Sequence, residues 1–501
     1  MPESVPEQPS PRLPSRREML RRAGNGFGLL ALAHLLESEA DARPAPAPAR
    51  TPRDGPSSTE SGPLAAKPPH FAPHAKSVIR LFINGGPSHV DTWDWKPELA
   101  KRDGQPLAGL EPTTGFFSKE VGPLMKSPFT FAQHGESGAF VSEIFPNLAH
   151  HVDDIAFVHS CFTETNNHSP ALFQINTGMS RMGFPSVGAW VTYGLGSESR
   201  NLPAFVVMTD MKGRGLPKGY AQNWSSGFLP GVFQGTALNQ QGPPLDDLVR
   251  PADESDGDQR GTLDLLGRMN RRFQEQHPLE PELDARTRSF ELAYRMQMAA
   301  PDALDWTSEP ESIRRLYGTD LAHCGPFAKQ CLMARRLVER GVRFVQLYSG
   351  GEENERSWDG HLDLVGNHRQ FAGETDQPIA ALLADLKQRG LLDTTLVIWG
   401  GEFGRLPVVQ RPPGSTQAGR DHNPHAFTTW FCGGGTKGGV HHGSTDEIGF
   451  KSVTDRVSIN DLHATILHLL GMEHTRLTYR HNGRDFRLTD VAGRVVQAIL
   501  A

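Results

Sequence analysis

Side chains of the types that bind metal ions occur in four short groups along the chain. They are histidines and carboxylates, and they comprise His89 with Asp91, Asp359 with His361, Glu402, and His422. Nitrogen and oxygen donors without thiolates suit a divalent metal such as zinc, calcium or manganese. A single Asp-x-His or Asp-His pair is more often a hydrogen-bonded part of a loop. The hypothesis of a metal site therefore depends on the four groups coming together.

The segments that must position these groups are predicted β-strands. Short runs of apolar and β-branched residues lie at 78–83, 155–158, 204–208, 343–347, 395–399 and 427–431. Amphipathic helical patterns followed by glycine lie between them, at 327–340 and 377–389. This alternation predicts an α/β fold with a mostly parallel central sheet flanked by helices. Such sheets bind ligands at the carboxyl ends of their strands, and the four groups are adjacent to predicted strands.

Composition limits the partners of the protein. The 501 residues carry a net charge of −6, and the 51 lysines and arginines are spread along the chain. This distribution gives no electrostatic basis for a nucleic-acid partner. The four cysteines form no CxxC pair, so neither a disulfide scaffold nor a thiolate metal site is expected. Residues 240–320 are charged, interrupted by proline and helix-prone, which predicts a helical insertion.

The first 42 residues have the pattern of an export signal. Paired arginines at 16–17 precede a mildly apolar stretch at 23–36, and an Ala-x-Ala site follows at 40–42. We therefore predict a twin-arginine signal peptide over 1–42, a flexible linker over 43–70 and a folded domain over 71–501. The mature chain would be periplasmic or extracellular. It contains no run of about 20 apolar residues, so no transmembrane span is expected in it.

Four motifs in a specific order resemble one family. They are FINGGPSHVDTWD at 82–94, GEFGR at 401–405, GRDHNP at 419–424 and DLHATILHLLG at 461–471. Together they resemble the exported, sulfatase-like proteins catalogued as domain of unknown function 1501, over residues 70–495. That family is regarded as part of the alkaline phosphatase and sulfatase superfamily. The resemblance implies a parallel-sheet scaffold that hydrolyses phosphate or sulfate esters at one or two metal ions.

The resemblance also implies roles for individual residues. Asp359 and His361 stand where phosphatases of this class place upstream ligands, and Glu402 stands where an Asp-His pair is expected. His422 precedes a strand and a glycine cluster, as a late ligand histidine does in the superfamily. The first strand ends in Gly85 and Gly86 rather than in acidic ligands. Only His89 or Asp91 could compensate for those missing acids.

The nucleophile position of sulfatases is occupied by His168 in this chain. A formylglycine cannot be made from histidine, so a formylglycine sulfatase is not expected. His168 is then a metal ligand, a nucleophile or a remnant in a non-catalytic relative. A nucleophilic hydroxyl would come from Ser169 or Thr165. Arg405 or Arg420 would neutralise the charge that develops on the ester.

Two functions follow from these patterns. The first is a metallohydrolase that acts on a phosphate or sulfate ester of a small molecule or glycan, with His168, Ser169 and Arg405 as catalytic candidates. The second is a secreted binding protein on the same fold that has lost turnover. One local alternative also stays open, because Arg405 could form an ordinary ion pair with Glu402 that needs no metal.

Overall fold

The computed structural model describes residues 63–107, 116–117, 120–239, 244–245, 255–276, 281–411 and 414–501. The predicted signal peptide and residues 43–62 of the predicted linker lie outside the described residues. The rest of the predicted linker, 63–70, is held against the domain by backbone hydrogen bonds. The Lys67 N–H donates to the Leu195 carbonyl over 2.9 Å, and the His70 N–H donates to the Gly471 carbonyl over 2.8 Å.

The fold is organised around one large sheet, which has nine strands among the described residues. They are β1 Ser77–Ile83, β2 Ile155–Phe162, β3 Phe205–Met208, β4 Thr236–Leu238, β5 Phe344–Ser349, β6 Thr395–Gly400, β7 Phe427–Cys432, β8 His441–His442 and β9 Val457–Ser458. All six strands predicted from the sequence are present. They were recognisable because both faces of these strands are buried, which requires continuous apolar runs.

The strand order is β8-β2-β7-β6-β1-β5-β3-β4, and β9 also pairs with β2. Only β7 runs antiparallel to its neighbours β2 and β6, whereas the other pairings in this sheet are parallel. The predicted mostly parallel sheet is therefore confirmed. Because β7 is reversed, its amino-terminal end lies at the same edge as the carboxyl ends of β2, β6, β1 and β5.

Helices cover both faces of the sheet. The longer ones are α1 His168–Thr177, α2 Val187–Leu195, α3 Asp256–Gln276, α4 Pro281–Leu304, α5 Gly325–Glu339, α6 Leu364–Gln388 and α7 Ile459–Leu469. Alternate residues of β1 belong to different cores: Ile79 and Leu81 pack with α5 and α6, whereas Val78 and Phe82 pack with α1, α2 and α7. This division follows the period-two alternation of side chains along a strand.

The predicted start of one helix differs from the structure. Helix α6 begins at Leu364 rather than at 377, and the Asp363 side chain caps it by accepting from the Gly366 N–H. Its first turns contain buried polar residues such as His368, so the apolar periodicity did not reveal them. Helix α7 is capped by Ser458 in a capping box, in which Asp461 is the third helical residue.

Between β4 and α5, the described residues form the helices α3 and α4, a short 3-10 helix Trp306–Ser308 and the shorter helix Glu311–Tyr317, joined by turns and irregular segments. Two further short helices precede the second strand of the large sheet, His89–Thr92 and Pro97–Lys101. Small two-stranded sheets lie outside the large one and use Val121–Leu124, Phe131–His134, Ala139–Ser142, Gly404–Arg405, Val408–Gln410, His422–Asn423, Ser444–Thr445, Ser452–Thr454, Tyr479–His481 and Arg484–Phe486. Among the described residues, no helix combines the length and apolar character needed to cross a membrane.

Candidate metal centre

Four metal-binding side chains meet at the carboxyl edge of the large sheet. His168 is the first residue of α1 and follows β2. Asp359 and His361 lie in the connection after β5, and His422 lies in the short strand that precedes the reversed strand β7. One donor atom from each of these residues lies within 4.8 Å of the others, and all four residues are buried. We call these four residues the donor cluster.

The distances between the donor atoms are short. The Nε2 atoms of His361 and His422 are 2.9 Å apart. Asp359 Oδ1 lies 2.8 Å from His361 Nε2 and 3.2 Å from His422 Nε2. On the other side of the carboxylate, Asp359 Oδ2 lies 3.1 Å from His168 Nε2. Donor atoms around a tetrahedral zinc ion at its usual bond lengths are separated by roughly 3.3 Å. The cluster therefore has the size of a shell of ligands around one ion.

The opposite nitrogen of each histidine ring is held by an oxygen. His168 Nδ1 lies 2.8 Å from Glu402 Oε1, His361 Nδ1 lies 2.6 Å from Gln410 Oε1, and His422 Nδ1 lies 2.6 Å from the Asn166 carbonyl. When a ring is neutral and its Nδ1–H donates to this acceptor, its Nε2 lone pair is left for a ligand. This arrangement orients histidines that bind a metal through Nε2.

The three Nε2 atoms and the Asp359 carboxylate converge on one buried point, where a positive charge is favourable. His168 Nε2 is a buried atom without a hydrogen-bond partner of acceptable angle among the described residues. Two unprotonated imidazole nitrogens that face each other also repel, as His361 and His422 would. A divalent cation satisfies all of these atoms together, and the donor set of three nitrogens and one carboxylate fits such an ion.

The electrostatics of the cluster also favour a cation. Burial acts to lower the pKa of His168, but Asp359 and Glu402 outweigh it and raise the pKa to about 9. Burial acts to raise the pKa of Asp359, yet His168 and Arg405 hold that pKa well below its ordinary value. Burial, followed by repulsion from His168, holds the pKa of His422 well below its ordinary value. Asp359 is therefore ionised and His422 is neutral, as metal ligands must be, whereas His168 carries a proton at neutral pH that a bound metal ion would displace.

Glu402 lies beside the donor cluster rather than in it. Its Oε1 accepts from His168 Nδ1 and, over 3.0 Å, from the backbone N–H of Gly85. Glu402 follows β6 and is fully buried. Glu402 is therefore placed to orient the ring of His168. It makes no ion pair with Arg405, so the simple Glu402–Arg405 pair considered from the sequence is wrong.

Gly85 explains why acidic residues are missing after β1. Its φ is +106°, and a Cβ at this position would lie 2.6 Å from Ser357 Oγ and 2.7 Å from the Asp359 nitrogen. The connection that delivers Asp359 therefore packs directly on the glycine, in a backbone conformation that favours glycine. Asp359 reaches the edge of the sheet through the space that a side chain after β1 would otherwise fill.

Arg405 is bound to the donor cluster through Asp359. Its Nη2 donates to Asp359 Oδ1 over 2.6 Å, its Nε donates to the Gly86 carbonyl over 2.8 Å, and its Nη1 donates to the Arg420 carbonyl over 3.1 Å. Its Nη1 also lies 3.5 Å from His361 Nε2. Arg405 is fully buried. In this structure it fixes Asp359, and its predicted role in neutralising the ester stays a prediction.

His89 and Asp91 are not brought into the donor cluster. Asp91 Oδ2 accepts from Arg420 Nε over 2.6 Å, and both side chains are fully buried. His89 Nε2 lies 2.8 Å from the Gly449 carbonyl. Arg420 approaches Asp91 from 329 residues away along the chain, a partnership that local spacing does not reveal. His89 and Asp91 instead lie in the short helix after β1 and help to hold it in place.

Ser169 and Thr165 lie in the segment that delivers His168. The Ser169 N–H donates to Asn167 Oδ1 over 3.2 Å, which caps α1, and Thr165 Oγ1 accepts from the Asn167 N–H over 3.2 Å. Within the described part of the chain, no serine or threonine hydroxyl hydrogen-bonds to a donor atom of the cluster. A nucleophilic role for either hydroxyl stays a prediction.

Three phenylalanine rings enclose the donor cluster. The ring of buried Phe403 lies 4.9 Å from that of His168 and 4.5 Å from that of His422. Phe116 lies 5.7 Å from His422, and Phe117 lies 4.9 Å from His361. Phe116 and Phe117 are 48% and 38% exposed, so they form the solvent side of this enclosure. Apolar walls exclude water and strengthen charge interactions within the cluster.

Sequence reasoning missed the residues that support the cluster. Gln410 and the Asn166 carbonyl hold histidine rings, and the phenylalanines cover them. None of these residue types signals metal chemistry in isolation. Only the position of Phe403 inside the GEFGR motif, next to Glu402, gave a local indication.

Comparison with protein families identifies the chain. The model of the family described as "Protein of unknown function (DUF1501)" matches residues 75–500. The chain belongs to this family, which confirms the family predicted from the four motifs. No curated protein matches the sequence.

Several solved structures have distant similarity to this chain. The lipoteichoic acid synthase LtaP from Listeria monocytogenes is 9% identical, with 87% of this chain and 80% of that chain covered and a TM-score of 0.34. An alkaline phosphatase mutant from the Antarctic bacterium TAB5, with Mg bound, is 12% identical, with coverages of 80% and 99% and a TM-score of 0.34. The periplasmic domain of EcEptC from Escherichia coli, in complex with Zn, is 10% identical, with coverages of 81% and 87% and a TM-score of 0.32.

Proposed function

We propose that this protein is an exported, metal-dependent hydrolase of a phosphate or sulfate ester of a small molecule or glycan. The observation that carries the proposal is the convergence of His168, Asp359, His361 and His422 around one buried point. Three buried histidines, each oriented by an oxygen at its second nitrogen, are the arrangement by which proteins hold a divalent cation.

The donor types select among metals. Three nitrogens and one carboxylate suit zinc or manganese, whereas calcium prefers a shell of oxygen atoms. A bound divalent ion would polarise an ester oxygen and lower the pKa of a hydroxyl or water. The chain itself orients the donors through Glu402, Gln410 and Asn166, ionises Asp359 through Arg405, and excludes water with the phenylalanine rings.

The experiment combines metal analysis with activity. The purified protein is reconstituted with zinc, manganese or calcium, its metal content is measured, and it is assayed on a panel of aryl phosphates and aryl sulfates. Activity should depend on zinc or manganese and disappear in His422→Ala. His441→Ala is the matched control, because His441 is an exposed histidine outside the donor cluster. Metal binding without activity on any ester would contradict the hydrolase proposal.

A second candidate function is binding without turnover. It is favoured by the ion pair between Arg405 and Asp359, which already neutralises the carboxylate. It is favoured also by the absence, among the described residues, of a serine or threonine hydroxyl bonded to the donor cluster. A protein that binds metal and an ester but does not hydrolyse it would have this function.

Export is part of the proposal and is supported by the paired arginines, apolar stretch and Ala-x-Ala site at the start of the chain. The mature chain is expected to begin near Arg43. Mass spectrometry of the protein from the exported fraction of its native host tests this. An intact segment 1–42 in that fraction would contradict it.

A further inference from the structure

A cleft of about 680 Å³ lies apart from the donor cluster and is rich in arginine. Its charged side chains are Arg456, Arg487, Arg494 and Asp461, and the polar groups of Ser458, His474 and Thr475 also line it. We call this feature the arginine cleft. Three arginines and one aspartate line the cleft, so its lining carries a net positive charge. Its volume is in the usual range for a small-ligand site.

The arginines are available to a ligand. Within the described residues, neither Arg456 nor Arg494 forms an ion pair. Arg456 lies with its guanidinium 4.1 Å from the centre of the Phe162 ring, a stacking contact that orients the group without using its N–H donors. Arg487 uses its Nε to donate to the Asp490 carbonyl, which leaves its terminal nitrogens.

The one acidic side chain is committed to backbone groups. Asp461 Oδ2 accepts from the Ser458 N–H over 2.9 Å, and Asp461 Oδ1 accepts from the Arg494 N–H over 2.6 Å. These bonds hold the carboxylate in the capping box of α7 and fix the backbone of Arg494 beside it. Asp461 therefore shapes the cleft, and the guanidinium groups are left to face an incoming anion.

The cleft lies at the same edge of the sheet as the donor cluster. Phe162 is the last residue of β2, and Ser458 of β9 is its register partner. His168 follows Phe162 by six residues, and so short a segment spans at most about 20 Å. The arginine cleft and the donor cluster are therefore within the length of one extended molecule.

We propose that the arginine cleft binds a sulfate, phosphate or carboxylate group of an extended acidic oligosaccharide. The charged groups recognise the anion through charge-assisted hydrogen bonds. Ser458 Oγ accepts from the Asp461 N–H over 3.2 Å and Thr475 Oγ1 donates to Glu473 over 3.0 Å, which leaves the first hydroxyl to donate to a sugar hydroxyl and the second to accept from one. The suggestion that this oligosaccharide is the ester substrate rests on the proposed function, whereas the binding of its anionic group does not.

Isothermal titration calorimetry of the full chain at low ionic strength tests the proposal. The probes are a sulfated heparin hexasaccharide, its desulfated counterpart and inorganic sulfate. The variant R456Q/R494Q removes two exposed guanidinium groups from the cleft. The variant R476Q/R480Q is the matched control, because it removes two exposed arginines from nearby positions that do not line the cleft.

The sulfated hexasaccharide should bind more tightly than inorganic sulfate, and the desulfated one should not bind. R456Q/R494Q should weaken binding of the sulfated probe by about tenfold or more, since each lost contact is a charge-assisted one. The control should bind as the wild type does. The metal-site variant His422→Ala should also keep this binding. The binding result therefore stands even if the protein proves not to be a metal-dependent hydrolase.

Three outcomes would overturn the proposal. In the first, the wild type does not bind the sulfated hexasaccharide. In the second, both double variants lose affinity equally, which would indicate diffuse charge attraction. In the third outcome, inorganic sulfate binds as tightly as the hexasaccharide, which refutes an extended ligand.

Discussion

Glu402 offers a sharp test of how the donor cluster is built. Its Oε1 alone accepts both close bonds, from His168 Nδ1 over 2.8 Å and from the Gly85 N–H over 3.0 Å, whereas Oε2 lies 3.3 Å from the same N–H. Glu402→Gln can keep the Oε1 bonds and removes the negative charge. Glu402→Ala removes the bonds as well.

The two variants should therefore differ in a graded way. Loss of a group that orients a metal ligand typically costs tenfold to a hundredfold in metal affinity. We expect about tenfold for Glu402→Gln, equivalent to about 1.4 kcal/mol, and about a hundredfold for Glu402→Ala, equivalent to about 2.7 kcal/mol. The larger loss reflects a His168 ring that is no longer held in its orientation.

The assay is competition for zinc against a chromophoric chelator, with metal affinity measured for each variant. Glu447→Ala is the control, because Glu447 is an exposed carboxylate. Unchanged affinity in Glu402→Ala would refute the orienting role. Complete loss of stoichiometric binding in Glu402→Gln would also refute it and would indicate that Glu402 binds the metal directly.

Three further predictions concern the surroundings of the cluster. Gly85→Ala should lower the free energy of unfolding by about 2–4 kcal/mol in urea denaturation, because the new Cβ meets the Trp358–Asp359 backbone at a positive φ; an unchanged stability would contradict this packing. Asp91→Asn should cost about 3–5 kcal/mol without loss of metal, because it leaves Arg420 buried and unpaired. Burial acts to raise the pKa of Asp91, but Arg420 outweighs it and lowers that pKa below its ordinary 3.8. The stabilisation by this ion pair is therefore present above about pH 4 and is lost as the pH falls. The Asp91→Asn variant should not show this pH-dependent loss of stability. Phe117→Ala should speed metal release to EDTA severalfold, because its ring covers His361, whereas Phe140→Ala should not; equal release rates would show that the ring does not limit access.

The sequence predicted the sheet well because the strands are buried on both faces and their apolar runs are continuous. It also brought out Asp359, His361 and His422 as ligand types near strand ends, and the family resemblance added His168. The physical rule behind this success is that the carboxyl ends of parallel strands share one edge. His422 also lies at this edge, because it precedes β7 and the amino-terminal end of this reversed strand lies beside the carboxyl ends of its neighbours.

The remaining features depended on contacts between distant parts of the chain. Asp91 has a suitable type and position for a ligand, yet Arg420 occupies its carboxylate. Arg405 pairs with Asp359 rather than with its sequence neighbour Glu402. Gln410 reaches His361 from 49 residues away, and its residue type gives no sign of that role. Long-range partners of this kind are set by tertiary packing, which local spacing does not encode.

The central claim is that one divalent ion occupies the donor cluster, and metal stoichiometry tests it most directly. The protein is purified without refolding, reconstituted with zinc or manganese, freed of excess metal and analysed by inductively coupled plasma mass spectrometry beside H361A/H422A and the control His441→Ala. We predict about one ion per chain in the wild type and the control, and nearly complete loss in H361A/H422A. A wild-type content below about a tenth of an ion per chain, or an equal content in H361A/H422A, would contradict the claim.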